Sequence, residues 1–570
     1  MRFKSQGESV ILKCSMVSNL LKNGRLLATR RQTNILSAAF VIMVAYAASG
    51  ILGLVRNRML AATFFGGRES ELDAYFAAFV IPDTLFQLLI IGALSAAFIP
   101  VFSHYLKRDE QEASKLASAS INVITLVFLA LVIIVFILSD SLSRLIAPSL
   151  DPGNIILLSR LLRIMLLAQV FFALSGFMTA IIQAHQRFLI PALAPIAYNL
   201  GIVGGIVFLT PTYGIFGPAV GVVVGAVLHF VIQIPLASRL GFHYSFNFNI
   251  NHPGVREIRK LMPLRSLTLA VGQAERFIAV FIATALAAGS LTIFNFARQL
   301  YLLPVTLFGT TIGQASFPSL SADIAAEKKE EFAKTLRSSL LQTLFLSLPA
   351  AAIVLILRLP AVRIAFGARN FPWEATLLTG KTVALLALAI PTQSLIGVLI
   401  RAFYALHDTK TPFLTTSGSA ALTVMLSIIF AETLELGVIG LGVAVAISTL
   451  VHTLILLFLM HKKTAIISAQ FIIGVVKMML ATAIMGVFLW IPMRVIDRYI
   501  LDTTRTLNLL LLTMSVLAIG ILVYINLSSL MRIEQLSEVF ALGRRIGNWR
   551  RALEESEEVL ETTSEEKPTG

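Results

Sequence analysis

The sequence predicts an all-α, polytopic membrane protein of about 14 transmembrane helices, built as two parallel six-helix lobes with two extra helices at the C-terminal end. Three observations carry this. Of 570 residues, 57% are hydrophobic and only 14% are charged, whereas a soluble chain carries about 25% charge. Apolar runs of some 20 residues, the length that crosses a bilayer, recur along the whole chain. Several motifs return in the same order at an offset of about 222 residues, as from Pro82 to Pro304. The composition excludes a soluble multidomain enzyme, a disordered chain and a coiled coil. A single cysteine, Cys14, excludes a disulfide framework and any cysteine-based metal cluster.

The predicted spans lie near 35–54, 74–103, 119–139, 158–184, 190–210, 215–236, 266–289 and 299–320, and then 338–357, 380–404, 412–431, 436–460, 468–492 and 507–528. Their unbroken apolar character differs from the period-2 alternation over about 10 residues that marks an outer-membrane barrel strand. The segments then read as a basic cytoplasmic stretch (1–34), an N-lobe (35–236), a cytoplasmic linker (237–265), a C-lobe (266–460), spans 13 and 14 (461–528), and a tail (529–570). No cleavable signal peptide is expected, because 1–34 is interrupted by Lys and Arg throughout.

Charge sets the expected orientation. With the N-terminus inside, 29 of the 46 Lys and Arg face the cytoplasm, 11 face the opposite side, and six lie in spans. This is the positive-inside bias, and it puts both termini in the cytoplasm of a multi-pass inner-membrane protein. The net charge of +15 is read as topology and anionic-lipid contact, so no nucleic-acid partner is expected. In the tail, Ile533, Leu536, Phe540, Trp549 and Leu553 space out an amphipathic helix suited to lipid contact, followed by an acidic end.

The repeat pairs Pro82-Asp83-Thr84-Leu85-Phe86 with Pro304-Val305-Thr306-Leu307-Phe308, and Ile99-Pro100 with Phe317-Pro318. Gly217, Gly221 and Gly225 correspond to Gly440, Ala444 and Ser448, and His229 to His452. Small residues at every fourth position let membrane helices approach closely. Each unit holds an even number of spans, so the halves insert the same way up, one of the known transporter plans.

Ionisable groups in spans are costly and usually face a cavity. The candidates are Arg56 and Arg58 ending span 1, Asp73 opening span 2, Glu275 and Arg276 in span 7, Arg298 opening span 8, and Arg401 in span 10. For Arg58, Arg68 and Arg401, interfacial snorkelling is the simpler expectation. Arg56 and Arg298 fall on the extracytoplasmic side, against the charge rule, and a guanidinium fork suits phosphate oxygens. The eight histidines show no HExxH spacing and there is no GxxxxGK[ST] loop, so neither catalysis, a metal, a cofactor nor ATP hydrolysis is expected. Transport would draw on the membrane potential or a gradient.

The residues also resemble a family. Gly53-Leu54-Val55-Arg56, Phe65-Gly66, Asp73-Ala74-Tyr75-Phe76-Ala77-Ala78-Phe79 and Gly92-Ala93-Leu94-Ser95-Ala96-Ala97-Phe98 look like the first two helices of the MurJ (MviN) lipid II flippases. Gln183-Ala184-His185-Gln186-Arg187-Phe188, Pro191 to Pro195, Ala297-Arg298 and Arg401-Ala402-Phe403-Tyr404-Ala405-Leu406-His407-Asp408-Thr409-Lys410-Thr411-Pro412 continue the match. The resemblance runs from about 35 to 528. It implies the fourteen-helix fold of the multidrug/oligosaccharidyl-lipid/polysaccharide exporter superfamily. It also implies transfer of undecaprenyl-pyrophosphate-linked peptidoglycan precursor from the cytoplasmic to the periplasmic leaflet by alternating access.

That family holds the pyrophosphate with cations in a central cavity, which carries over to Arg56 and Arg298. Ser49, Asp73 and Arg276 join them as candidate substrate-binding residues. The pattern departs at Gly50, where an arginine is usual, at Asn57 for aspartate, at Phe86 and Gln87 for paired arginines, and at Ile91 for glutamate. Arg58 and Arg276 could make up the lost charge. Span 11 offers no acid for a sodium ion. The expected partners are lipid II, or a similar polyprenyl-pyrophosphate lipid, and membrane lipids, acting on a monomer. The competing readings are a flippase for another polyprenyl-linked oligosaccharide, a drug exporter of the same superfamily, and a membrane glycosyltransferase. The last would need acids in a large outer loop, and the loop at 358–380 has only Glu374.

Overall fold

A computed structural model describes residues 35–91, 94, 98–367 and 370–538; the basic 1–34 stretch and the tail beyond 538 lie outside the described residues. Fourteen long helices account for most of the rest. They are α1 (Ile35–Phe64), α2 (Glu69–Ile91), α3 (Glu110–Ile137), α4 (Pro152–Ala184), α5 (Leu189–Tyr213), α6 (Phe216–Arg239) and α7 (Pro253–Ala285). After them come α8 (Ser290–Ala325), α9 (Lys329–Ile356), α10 (Trp373–Ala405), α11 (Lys410–Thr433), α12 (Val438–Thr464), α13 (Ala469–Tyr499) and α14 (Thr506–Leu530). Helices are the expected solution, because a spanning segment must satisfy its backbone groups internally. Twelve of these are long and apolar enough to cross a membrane. The other two, α1 and α7, stand at the first and seventh predicted spans, and α7 carries Arg256, Glu257, Arg259, Lys260, Glu275 and Arg276.

Several helices begin well before their apolar run, because a cap and not hydropathy decides the start. Asp109 Oδ1 accepts Gln111 N–H at 2.7 Å ahead of α3, and Asp151 Oδ2 accepts Gly153 N–H at 3.0 Å ahead of α4. His252 Nδ1 accepts Gly254 N–H at 3.2 Å ahead of α7, and Pro253 and Pro152 occupy first-turn positions where a missing N–H costs nothing. Half of the expected linker, 253–265, is therefore helix continuous with span 7. At the other helix ends the apolar count also stops short. Arg56 lies inside α1, which runs on to Phe64, and Arg298 sits two turns inside α8 rather than at its mouth.

The lobes, α1–α6 and α7–α12, repeat each other in detail. α2 and α8 each contain a π-helical stretch, Phe86–Ile91 and Val305–Thr310, and α5 and α11 contain another pair, Gly205–Leu209 and Ile428–Thr433. Such stretches mark functional sites often enough to be worth noting. The glycine stripe has its expected purpose. A Cβ on Gly221 would stand 2.9 Å from Ile202 Cα of α5, and one on Gly440 would stand 2.6 Å from Ala431 N of α11. α5 and α6 thus meet backbone to backbone, as do α11 and α12.

α13 packs against α9, and α14 packs against α13 and the short helix Arg358–Phe366, so the added pair flanks the second lobe. The first residues of the tail behave differently from the lipid-facing helix expected there. Ile533 is 6% exposed and sits in the core beneath α9 and α13, with Leu536 packed beside it.

Candidate functional site

The polar groups of the two lobes converge along the seam between α1–α2 and α7–α8. Asp83, in the middle of α2, accepts from Arg276 of α7: Arg276 Nη2 lies 2.9 Å from Asp83 Oδ2, and Gln169 Nε2 reaches Asp83 Oδ1 at 3.3 Å. One residue on, Thr84 Oγ1 approaches Gln273 Oε1 at 3.4 Å. Between α1 and α8, Asn57 Nδ2 donates to Gln299 Oε1. Asp73 bridges the lobes a third way. Its carboxylate accepts Gly289 N–H at 2.7 Å, Thr292 N–H at 2.8 Å and Thr292 Oγ1 at 2.6 Å. That is the buried N-terminus of α8, where amides without an intrahelical partner and the helix dipole favour an anion. Aromatic rings close the seam: Phe296 stacks on Phe366 at 4.3 Å, and Phe65 meets Phe371 edge-on at 4.7 Å.

Beside the seam lies a cavity of about 310 Å³, lined by Phe76 and Val80 of α2 and by α7, α8, α10, α11 and α12. Its wall is polar: Glu275, Arg276, Asn295, Arg298 and Tyr301 on one side, Gln393 and His452 on the other. Thr416, Ser419, Thr423 and Ser427 line one face of α11 within it. Among the described residues, the Arg298 guanidinium has no hydrogen-bond partner. The equivalent space in the first lobe, about 390 Å³, is far more apolar. Phe86 and Phe172 line it with His229, the repeat partner of His452.

The predicted site residues therefore divide. Arg298, Arg276 and Glu275 share the cavity. Arg56 stands one layer behind it, donating from Nη1 to Asn199 Oδ1 at 3.1 Å and from Nε to Asn57 Oδ1 at 3.1 Å. Asn199 in turn donates to Ser49 Oγ at 3.2 Å, so Ser49, Asn199, Arg56, Asn57 and Gln299 form one polar chain across the seam. Asp73 is 2% exposed and occupied by α8. Arg58 donates to the carbonyls of Arg363 and Ile364 at 3.2 and 2.6 Å, tying down the last turn of Arg358–Phe366. Arg401 donates to Gly397 O at 2.7 Å, and Arg68 pairs with Glu71 at 2.7 Å. A Cβ on Gly50 would meet nothing within 4 Å.

Sequence reading passed over Asp83 as a site residue. An acid well inside an apolar span is the signal that marks it. Asn199 and Gln299 carry no comparable signal. The specific motif at 401–412 turns out to shape the corner between α10 and α11. Asp408 accepts Thr411 N–H at 2.9 Å, Thr411 Oγ1 at 2.7 Å and Lys463 Nζ at 2.7 Å. Burial pushes its carboxyl up, but these donors outweigh burial and hold it at about 2.

Comparison with known proteins fits this arrangement. The family model described as lipid II flippase MurJ matches residues 60–507. A probable lipid II flippase MurJ of Thermotoga maritima is 26% identical over 495 residues, covering 87% of this chain and 96% of that protein. The lipid II flippase MurJ of Thermosipho africanus is 29% identical over 425 residues, covering 75% and 86%. Among solved structures, a lipid II flippase MurJ in an inward closed conformation superposes with a TM-score of 0.72 at 27% identity, covering 86% of this chain and 98% of that one. An inward-facing MATE-family multidrug transporter of the MOP superfamily shares the fold, with a TM-score of 0.61 at 15% identity over 73% of this chain and 94% of its own.

Proposed function

The chain belongs to the lipid II flippase MurJ family, and from that membership we propose how its own cavity handles the substrate. The protein is a multi-pass membrane transporter that flips the lipid-linked peptidoglycan precursor. Arg298 and Arg276 hold the pyrophosphate, and Arg56 with Ser49 positions the seam they work against. The observation that carries this is the Arg298 guanidinium, which lines a polar cavity at the lobe junction and has no hydrogen-bond acceptor among the described residues. An anion crossing a low-dielectric region needs a partner, and a charge-assisted hydrogen bond is worth about 1.5–3 kcal/mol. Asp73 contributes indirectly, by fixing the helix on which Arg298 sits.

The cavity's 310 Å³ lies near the lower bound for a drug-sized ligand, about 300 Å³. It fits a diphosphate group and leaves no room for a disaccharide-peptide, so the lobes must part for the substrate to enter. With both termini in the cytoplasm, the Asp73 and Asn57 bridges sit in the extracytoplasmic half and the Asp83 bridge near mid-span, and the conformation is one closed toward the periplasm. The Arg276–Asp83 pair then acts as a latch that a pyrophosphate competes for, because both anions want the same guanidinium.

Complementation tests this. In a strain depleted of its own lipid II flippase, the chain should restore growth. Arg298→Ala should fail at unchanged membrane expression, and Arg298→Lys should rescue partly, since an ammonium lacks the planar fork. Full rescue by Arg298→Ala would remove Arg298 from the site.

A further inference from the structure

The two helices outside the repeat meet the second lobe at a place that the transport cycle above does not use. A pocket of about 200 Å³ lies between the end of α9, the helix Arg358–Phe366, the start of α10, the end of α13 and the start of α14. Arg358, Arg363 and Arg494 line it with Trp373 and Trp490, and among the described residues Asp497 is its one acid. Arg363 lies over the Trp373 ring at 6.0 Å and Arg494 over the Trp490 ring at 5.7 Å. Ile356 and Trp490 also line a second hollow of about 700 Å³, formed by α9, α10 and α13. That hollow is apolar, made concave by Ala351, Ala352, Ala483 and Gly486, and it runs along α13 from Trp490 to Met479. Eleven residues of helix rise about 16 Å, close to half of a hydrocarbon core about 30 Å thick. A cationic, tryptophan-rimmed head pocket thus opens into an apolar groove one leaflet deep. No residue lining either lines the central cavity.

The charge pattern points the same way. Of the 11 Lys and Arg expected on the extracytoplasmic side, six belong to two segments, 358–379 and 493–506. The positive-inside bias disfavours cations there, so concentrating them needs a reason. The fold joins the two segments, with Arg363 Nη2 donating to Thr503 O at 2.8 Å. Three guanidinium groups facing one carboxylate leave the pocket complementary to an anion, and an indole rim suits the membrane interface.

We propose that this is a binding site for an anionic phospholipid of the extracytoplasmic leaflet, its phosphate among Arg358, Arg363 and Arg494 and one acyl chain in the groove. The lipid would fasten α13 and α14 to the second lobe. The leaflet assignment rests on the orientation proposed above, whereas the binding does not, so the two can fail separately.

The chain's three tryptophans, Trp373, Trp490 and Trp549, provide the readout. In a Trp549→Phe background both remaining indoles report on the site. The full-length protein is reconstituted in phosphatidylcholine vesicles doped with either dibrominated phosphatidylglycerol or dibrominated phosphatidylcholine at equal mole fraction. Contact quenching should favour the glycerol lipid by about tenfold, roughly what one charge-assisted bond carries. Arg358→Gln with Arg494→Gln should erase the preference, and Arg363 is kept because it braces Thr503. Equal quenching by the two lipids, or a preference that survives the double variant, would overturn the site. Loss of the preference on adding soluble glycerol phosphate would show a headgroup-only anion site, and displacement by equimolar undecaprenyl pyrophosphate would assign it to the carrier lipid; either result also refutes the proposal.

Discussion

Asp83→Asn should weaken the closed state by about tenfold. The substitution keeps the shape of the side chain and removes its charge, so Arg276 loses an ion pair 2.9 Å long and keeps at most a neutral hydrogen bond. Breaking a fully buried pair by deleting one partner costs about 3–5 kcal/mol, but these side chains are 31% and 30% exposed, and exposed pairs are worth about 0–1 kcal/mol. A value near 1.5 kcal/mol lies between, and it corresponds to about a tenfold shift in population. The assay is accessibility. With Cys14 replaced by Ser, a lone cysteine at Asn295, which lines the cavity, is exposed to a membrane-impermeant maleimide from the periplasmic side. Labelling should quicken about tenfold in Asp83→Asn, and the swap Asp83→Arg with Arg276→Asp should return it toward the parental rate. Unchanged labelling in Asp83→Asn would show that the pair does not latch the lobes.

Two further outcomes are expected. Asp408→Asn should lower stability by about 1 kcal/mol at neutral pH, the shift below 3.8 being trimmed by screening at the aqueous edge. Because the folded carboxyl titrates lower than the unfolded one, this contribution is present above about pH 4 and fades as pH falls toward 2; thermal unfolding in detergent across that range checks it, and a constant difference would refute it. Gly221→Ala drives a Cβ into the backbone of α5 at 2.9 Å, so it should cost about 1–3 kcal/mol in the same assay, whereas Gly50→Ala, facing open space, should cost little.

Much of this architecture can be read from composition because a membrane allows so few solutions. Apolar length locates the helices, and the repeated Pro82 and Gly221 motifs announce the two lobes. Hydropathy reads polar interruptions as ends, however. Asn295, Arg298 and Gln299 make span 8 seem to begin where α8 is already two turns old, and Arg56 seems to close a helix that continues for two more turns. The same bias turned cavity-facing groups into edge groups. Arg298 and Arg276 were legible as costly charges. The partner of Arg276 was not, since Asp83 lies 193 residues away, and no local pattern joins α2 to α7. Arg56 and Asp73 were recognised as out of place for lipid, but that shows only that a charge needs a partner. Asn199 for the one, and the amides of α8 for the other, are supplied by the fold.

Two prolines in each lobe, Pro82 with Pro100 and Pro304 with Pro318, mark where the two copies stop matching. Pro82 and Pro100 are 18 residues apart, Pro304 and Pro318 only 14, and the π-helical stretches lie inside both intervals. The difference of four residues is slightly more than one helical turn, about 6 Å of rise. An insertion of that size lengthens one copy and not the other. The pseudo-symmetric pair is then like two doorposts of unequal height. Because parallel lobes are related by an axis along the membrane normal, the inequality sets one lobe apart from the other, and the two sides of the cleft need not move alike when it opens.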